Sequence, residues 1–433
     1  MNPFLTFFFL TSALHYSPLD AGTSIEYPVS SNVLWVKTMT PRERLTTVLK
    51  GGIPDCVPVS PDFSNMIPAR LTGKPFWDLY LYNDPPIWQA YIAAAKRFNI
   101  DSLMDGYFWL SFPDEQDCVP WERLPATKEQ QKQIVPNSDW QRFIVFKNSE
   151  RIVVQRCRIE NRKRVWEPRV CVYYIADSPT EWIPPSKIGL PDIPTHFEPL
   201  ENVKPADNSP AGLAKVKKLM GNQGLVGVFL ASSSILSCEQ DIYDYYDHPE
   251  LHNYWQDTLI ERVERRFASI MKMPILPDFL CVGGSGTLVF QTVDIFRQLA
   301  YPAVKHAIEL ASSAGLPTHI HSCGPETALI KIMAEETSLT VIDPLEIPPM
   351  GDCNLAEIKK LYGRKLTLKG NLHTTETMLY GSPDDVIAAS KKAINDAAED
   401  GRFILSTGDQ CGRDTPDENL LAMVHTARTY GKY

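Results

Sequence analysis

Two histidines and a cysteine recur at every second position of Leu316–Gly324, LPTHIHSCG: His319, His321 and Cys323. Side chains alternate faces along a strand, so these three share one face. Zinc accepts imidazole nitrogen and thiolate sulfur. A catalytic zinc takes a third protein ligand and keeps one position open. Cys411, in the run GDQCG at 408–412, could supply that third ligand by reaching across a mouth. The alternative is a strand that carries a small buried cysteine and a packed, hydrogen-bonded His319. Further reactive side chains end other apolar runs. Asp105, Tyr107, Glu346 and Asn371 are candidates for catalysis, although Asp105 could equally cap a helix. Asp62, Ser285, His319 and His373 are candidates for binding a substrate. Glu346 and Cys353 are lesser metal candidates. Cys56, Cys118, Cys157, Cys171, Cys238 and Cys281 read as structural. The glycines of VGGSGTL (282–288) come with neither a P-loop lysine nor dinucleotide spacing. They are expected to let a ligand approach the backbone.

Positioning these residues requires a regular alternation of elements. Thr40-Pro41-Arg42-Glu43 reads as a capped helix start, closed by Gly51-Gly52. Strand signals follow at about 56, 101, 224, 277, 316, 339, 365 and 402, with a helical period after each. Eight such units predict a closed (β/α)₈ TIM barrel, whose chemistry lies at the C-terminal ends of its strands. The reactive residues fall at those ends. Residues 142–177 break the rhythm by alternating at period two, which predicts an inserted antiparallel meander. The insertion spans about 140–210, and its proline-rich part, 178–210, is expected to be a connecting loop. Tyr243–Glu250, YDYYDHPE, reads as a packed helix start.

The chain of 433 residues carries a net charge of −9, which argues against nucleic acid as a partner. No apolar run reaches the ~18–20 residues of a membrane span. Nine widely spaced cysteines do not form a secreted disulfide framework and imply a reducing, cytoplasmic setting. Residues 2–14 are apolar but lack a basic flank and a cleavage site, so a signal peptide is not expected. Residues 1–38 read as an extension outside the working domain, which starts at Met39.

MTPRERL…GGIPDCVPV, LPTHIHSCG, GDCNLAEIKKLYGRKLTLKGN and FILSTGDQCGRDTPDENL together resemble the uroporphyrinogen decarboxylase superfamily. The resemblance runs over most of Met39–Tyr433, is strongest from 277 onward, and implies the same barrel. It is closer to the corrinoid-linked methyltransferases than to the haem-pathway decarboxylases. The decarboxylases carry an arginine-rich segment where this chain has SPDFSNMIPARLTGKPF, with Arg70 alone. They also carry a histidine turn where it has Gly408-Asp409-Gln410-Cys411-Gly412. The methyltransferase branch implies zinc on His321, Cys323 and either Cys411 or, replacing it, Asp409. It also implies a cobamide borne by a separate corrinoid protein that docks over the mouth, a small-molecule substrate and a homodimer. The competing expectations are a metal-free decarboxylase acting on uroporphyrinogen or a smaller acid, and a barrel that binds a small molecule without turnover.

Overall fold

A computed structural model of the chain describes residues 38–115, 123–132, 139–236 and 238–433. Cys118 and nearly all of the N-terminal extension lie outside them. The first helix, Pro41–Leu49, begins with a capping box: Thr40 accepts from the Glu43 N–H while the Glu43 side chain accepts from the Thr40 N–H.

Seven strands form one parallel sheet: β1 (Ser102–Met104), then β7 (Gly224–Phe229), β8 (Phe279–Cys281), β9 (Thr318–His321), β10 (Val341–Asp343), β11 (Thr367–Leu372) and β12 (Phe403–Thr407), each beside the next. Five more strands intervene in sequence and build a separate antiparallel sheet. These are β2 (Gln141–Lys147), β3 (Arg151–Glu160), β4 (Lys163–Tyr174), β5 (Thr180–Ile183) and β6 (Glu198–Pro199). The meander therefore forms where alternation predicted it. The proline-rich stretch is more than a loop, because β5 and β6 are its two edge strands. One face of this sheet packs Ile144, Ile152, Val154 and Tyr173 against Trp77, Tyr80 and Leu81.

The eighth stave is Pro58–Ser60. It closes the sheet between β12 and β1 without being a regular strand. Val59 pairs in parallel with Leu405. The Leu405 N–H donates to the Pro58 carbonyl (2.8 Å), and the Ser60 N–H donates to the Leu405 carbonyl (2.9 Å). On the other side the Asp101 N–H donates to the Val59 carbonyl (2.8 Å), and Asp101 Oδ2 accepts from the Val59 N–H (2.8 Å). Pro58 and Pro61 have no N–H to give, so the ladder cannot lengthen.

The barrel is the fold predicted from eight alternating units, with shorter strands than the apolar runs suggested. β1 stops after three residues because Asp105-Gly106 turns away, with Gly106 at φ 73°. Helices occupy the expected windows with two breaks. One falls at His248-Pro249, between Glu239–Asp247 and His252–Met271, so YDYYDHPE closes a helix instead of opening one. The other falls at Ala300, ahead of Pro302, and divides Val293–Leu299 from Tyr301–Ser313. No helix among the described residues is long and apolar enough to cross a membrane.

Candidate functional site

Strand register brings the reactive side chains together. Cys281 of β8 pairs with His319 of β9, and His321 of β9 pairs with Asp343 of β10. Gly283 allows this closeness, since a Cβ there would lie 2.7 Å from the His321 backbone nitrogen. The glycine thus admits the neighbouring strand, where the sequence suggested an approaching ligand.

Asp343 is the hub of the floor and is almost fully buried. Its Oδ1 lies 2.9 Å from His319 Nε2 and 3.2 Å from His321 Nδ1, and its Oδ2 pairs with Lys369 Nζ. Burial works against its ionisation. Lys369, His319 and His321 together outweigh burial and hold the carboxyl well below the usual range. His319 lies between two carboxylates, with Asp105 Oδ2 2.9 Å from Nδ1. Burial disfavours the imidazolium, but Asp343 and Asp105 push its pKa up to about 9. Cys281 donates to Asp105 Oδ1 at 3.1 Å, and its thiol is raised by burial and by that carboxylate. His319 is therefore a packed, ion-paired strand histidine.

His321 Nε2 is buried without a hydrogen-bond partner, as is His319 Nδ1, but His319 Nδ1 has the Asp105 carboxylate at 2.9 Å. His321 Nε2, the Cys323 sulfur and an Asp409 carboxylate oxygen all lie within 4.8 Å of one another. The Nε2 to Asp409 Oδ1 distance is 3.5 Å. Asp409 adopts φ 118°, a conformation that L side chains rarely take and that tends to be retained at functional sites. An orphaned imidazole nitrogen facing a thiol and a carboxylate is a donor set that zinc accepts. The carboxylate on Nδ1 fixes the tautomer that leaves Nε2 free. These residues fit a zinc ion.

Cys411 is not among the groups brought together. It is fully buried beside the Thr407 and Thr415 hydroxyls, and burial with Asp62 nearby raises its thiol to about 12. Its backbone N–H donates to the Asp62 carbonyl (2.9 Å), which ties this loop to the eighth stave.

A cavity of about 290 Å³ opens beside His321. Its lining includes Asp62, Asp105, Tyr107, Ser285, Asp343 and Lys369. The Tyr107 hydroxyl donates to the Ser64 carbonyl (2.8 Å) and to Asp62 Oδ1 (3.3 Å), so it orients Asp62. Ser285 Oγ lies 3.4 Å from Cys323 Sγ. Glu346, Asn371 and His373 line a separate recess instead, and Asn371 and His373 also line a cavity of about 430 Å³ away from His321. Glu346 accepts from the Gly324 N–H, and His373 Nδ1 accepts from the N–H groups of Thr375 and Glu376 (both 3.1 Å). Both therefore hold loops in place. Asp343 and Lys369 count among the reactive residues of these strands in the sequence, but nothing there gives either a role in the site; Asp343 ends β10, whereas Lys369 lies within β11. Their role depends on register, which the sequence does not display.

Residues 285–430 match the family model described as uroporphyrinogen decarboxylase (URO-D). The methylcobamide:CoM methyltransferase MtbA of Methanosarcina mazei is 27% identical over 139 residues. MtaA of Methanosarcina barkeri, of the same description, is 30% identical over 139 residues. Each alignment covers 32% of this chain, and the chain spans 37% of the length of either relative. A solved methyltransferase from Methanosarcina mazei shares the fold at a TM-score of 0.52 and 16% identity, over 90% of this chain and 99% of that one.

Proposed function

We propose that this chain, whose residues 285–430 match the uroporphyrinogen decarboxylase family model and which resembles two methylcobamide:CoM methyltransferases over about a third of its length, is a zinc-dependent methyltransferase or demethylase of that superfamily. It exchanges a methyl group between a small substrate and a corrinoid protein, in a cytoplasmic setting. The observation that carries this reading is the orphaned Nε2 of His321 facing Cys323 and Asp409. His321, Cys323 and Asp409 would hold the metal, with Asp409 as third ligand in preference to Cys411. Zinc so held is a Lewis acid that lowers the pKa of a bound thiol or polarises an ether or amine.

The chain's own residues prepare the site for this. Asp343 keeps the His321 Nδ1 proton in place and neutralises the buried Lys369. Asp105 is held below the ordinary carboxylate range: burial opposes its ionisation, but His319 outweighs it. It therefore faces the cavity as a carboxylate. Tyr107 already donates to Ser64 and Asp62, so it orients rather than transfers protons. The cavity mouth lies at the C-terminal end of the barrel, where a corrinoid protein would dock.

The test is methyl exchange between a methylated corrinoid protein and a panel of small thiols, amines and ethers, followed by the cobalt absorption spectrum. Zinc-loaded wild type is expected to exchange, and Cys323→Ala is expected to lose at least ~100-fold in rate, the scale of one lost electrostatic contributor. Equal rates with and without zinc would refute the proposal.

A further inference from the structure

We infer that the cavity selects a cationic substrate, an N-methylated ammonium compound, with Asp62 as its counter-charge and Trp109 and Phe229 as its aromatic wall. The inference rests on the methyl-transfer reading for the fate of the ligand, though not for its binding.

The ionic partners are already assigned around most of the cavity. Lys369 pairs with Asp343, and Asp343 also holds both histidines. Asp105 is paired with His319 and bonded by Cys281. Arg70, the arginine of the segment after the eighth stave, is engaged by Asp417 at 2.5 Å and does not line the cavity. Among the described lining residues, then, each cationic side chain already has a carboxylate partner.

Asp62 has the opposite character. It lines the cavity and makes no ion pair among the described residues. Among the described residues its carboxylate accepts from the Ser64 N–H (2.9 Å) and the Tyr107 hydroxyl (3.3 Å), both neutral donors. Burial raises its pKa despite Lys369 and His321, so a cation placed beside it would relieve an unfavourable charge.

The wall suits the same ligand. Trp109 and Phe229 both line the cavity and stack with ring centroids 4.9 Å apart and planes 9° apart. Trp109 is 52% exposed, so its ring is open to a ligand entering the cavity. Tyr91 and Tyr107 add two further aromatic groups to the lining. Aromatic faces attract alkylated ammonium groups through the ring quadrupole, and a neighbouring carboxylate adds to that attraction. About 290 Å³ suits a small ligand of this kind.

The test is calorimetric titration of the zinc-loaded full chain with three ligands: choline, its neutral carbon analogue 3,3-dimethylbutan-1-ol, and the anionic thiol 2-mercaptoethanesulfonate. Choline is expected to bind at least tenfold more tightly than either of the others. Asp62→Asn should weaken choline at least tenfold and leave the neutral alcohol unchanged. Trp109→Leu, at a half-exposed position that need not affect folding, should weaken choline several-fold. Equal binding of choline and the alcohol, or tighter binding of the thiol, would overturn the inference. Zinc content measured on the same samples separates the two claims. Wild type that binds choline but holds no zinc refutes the methyl-transfer reading alone. Wild type that holds zinc and prefers the thiol refutes this inference alone.

Discussion

Asp343 occupies two of its oxygen positions with three cationic or hydrogen-bonding partners, so it sets both the charge of the floor and the orientation of His321. Asp343→Asn should lower zinc affinity about 10–100-fold, the usual effect of removing a carboxylate behind a metal-bound histidine. Competition with a fluorescent chelator would measure it, and unchanged affinity would contradict the role assigned to this carboxylate. Protons should compete with the metal. In the metal-free protein burial opposes a charge on His321, but Asp343 raises its pKa well above the ordinary imidazole value. Zinc must therefore displace a proton, and its affinity should rise with pH across the neutral range. A flat profile in the same titration would show that His321 is not a ligand. Alternation along LPTHIHSCG was enough to place His321 and Cys323 on one face. The choice between Asp409 and Cys411 was not legible, because it depends on a loop whose φ 118° turn has no sequence signature.

The ends of β8 and β9 must lie close for the site to form, and Gly283 is the residue that lets them. Gly283→Ala places a methyl group against the β9 backbone. It should cost about 1–3 kcal/mol, as overpacking does, and lower zinc content as well. Chemical denaturation with metal analysis would check both, and wild-type values for both would mean that the strands can give way. The alternation of strand and helix windows was readable because apolar periodicity is local. Strand lengths were overread: Pro61, Gly106 and Pro344 each end hydrogen bonding within an apolar run. The edge strands β5 and β6 were missed because proline-rich segments signal turns. A short edge strand tolerates proline where a central one does not.

In the whole molecule, the two ends of the barrel do different work. At the N-terminal end Asp101 is fully buried, lies 2.5 Å from Arg44 and 2.8 Å from Arg428, and accepts from the Val59 N–H. It thereby joins the eighth stave to β1 and to the last helix, Asp417–Thr429. Asp101→Ala removes the carboxylate that Arg428 faces and one of the two that Arg44 holds, Asp55 being the other, and should cost about 3 kcal/mol, the lower end for breaking a buried pair. Zinc stoichiometry of the folded protein should stay unchanged, because this end lies away from the metal ligands. Denaturation midpoints and metal content, measured together, would check that separation. At the C-terminal end the central claim is a zinc held by His321, Cys323 and Asp409. The most direct test is zinc per chain by elemental analysis in wild type, Cys323→Ala, Asp409→Ala and Cys411→Ala. About one zinc in wild type and in Cys411→Ala, with loss in the other two variants, is the result predicted from the donor set. No zinc in freshly purified, chelator-free wild type, or retention in Cys323→Ala, would contradict it.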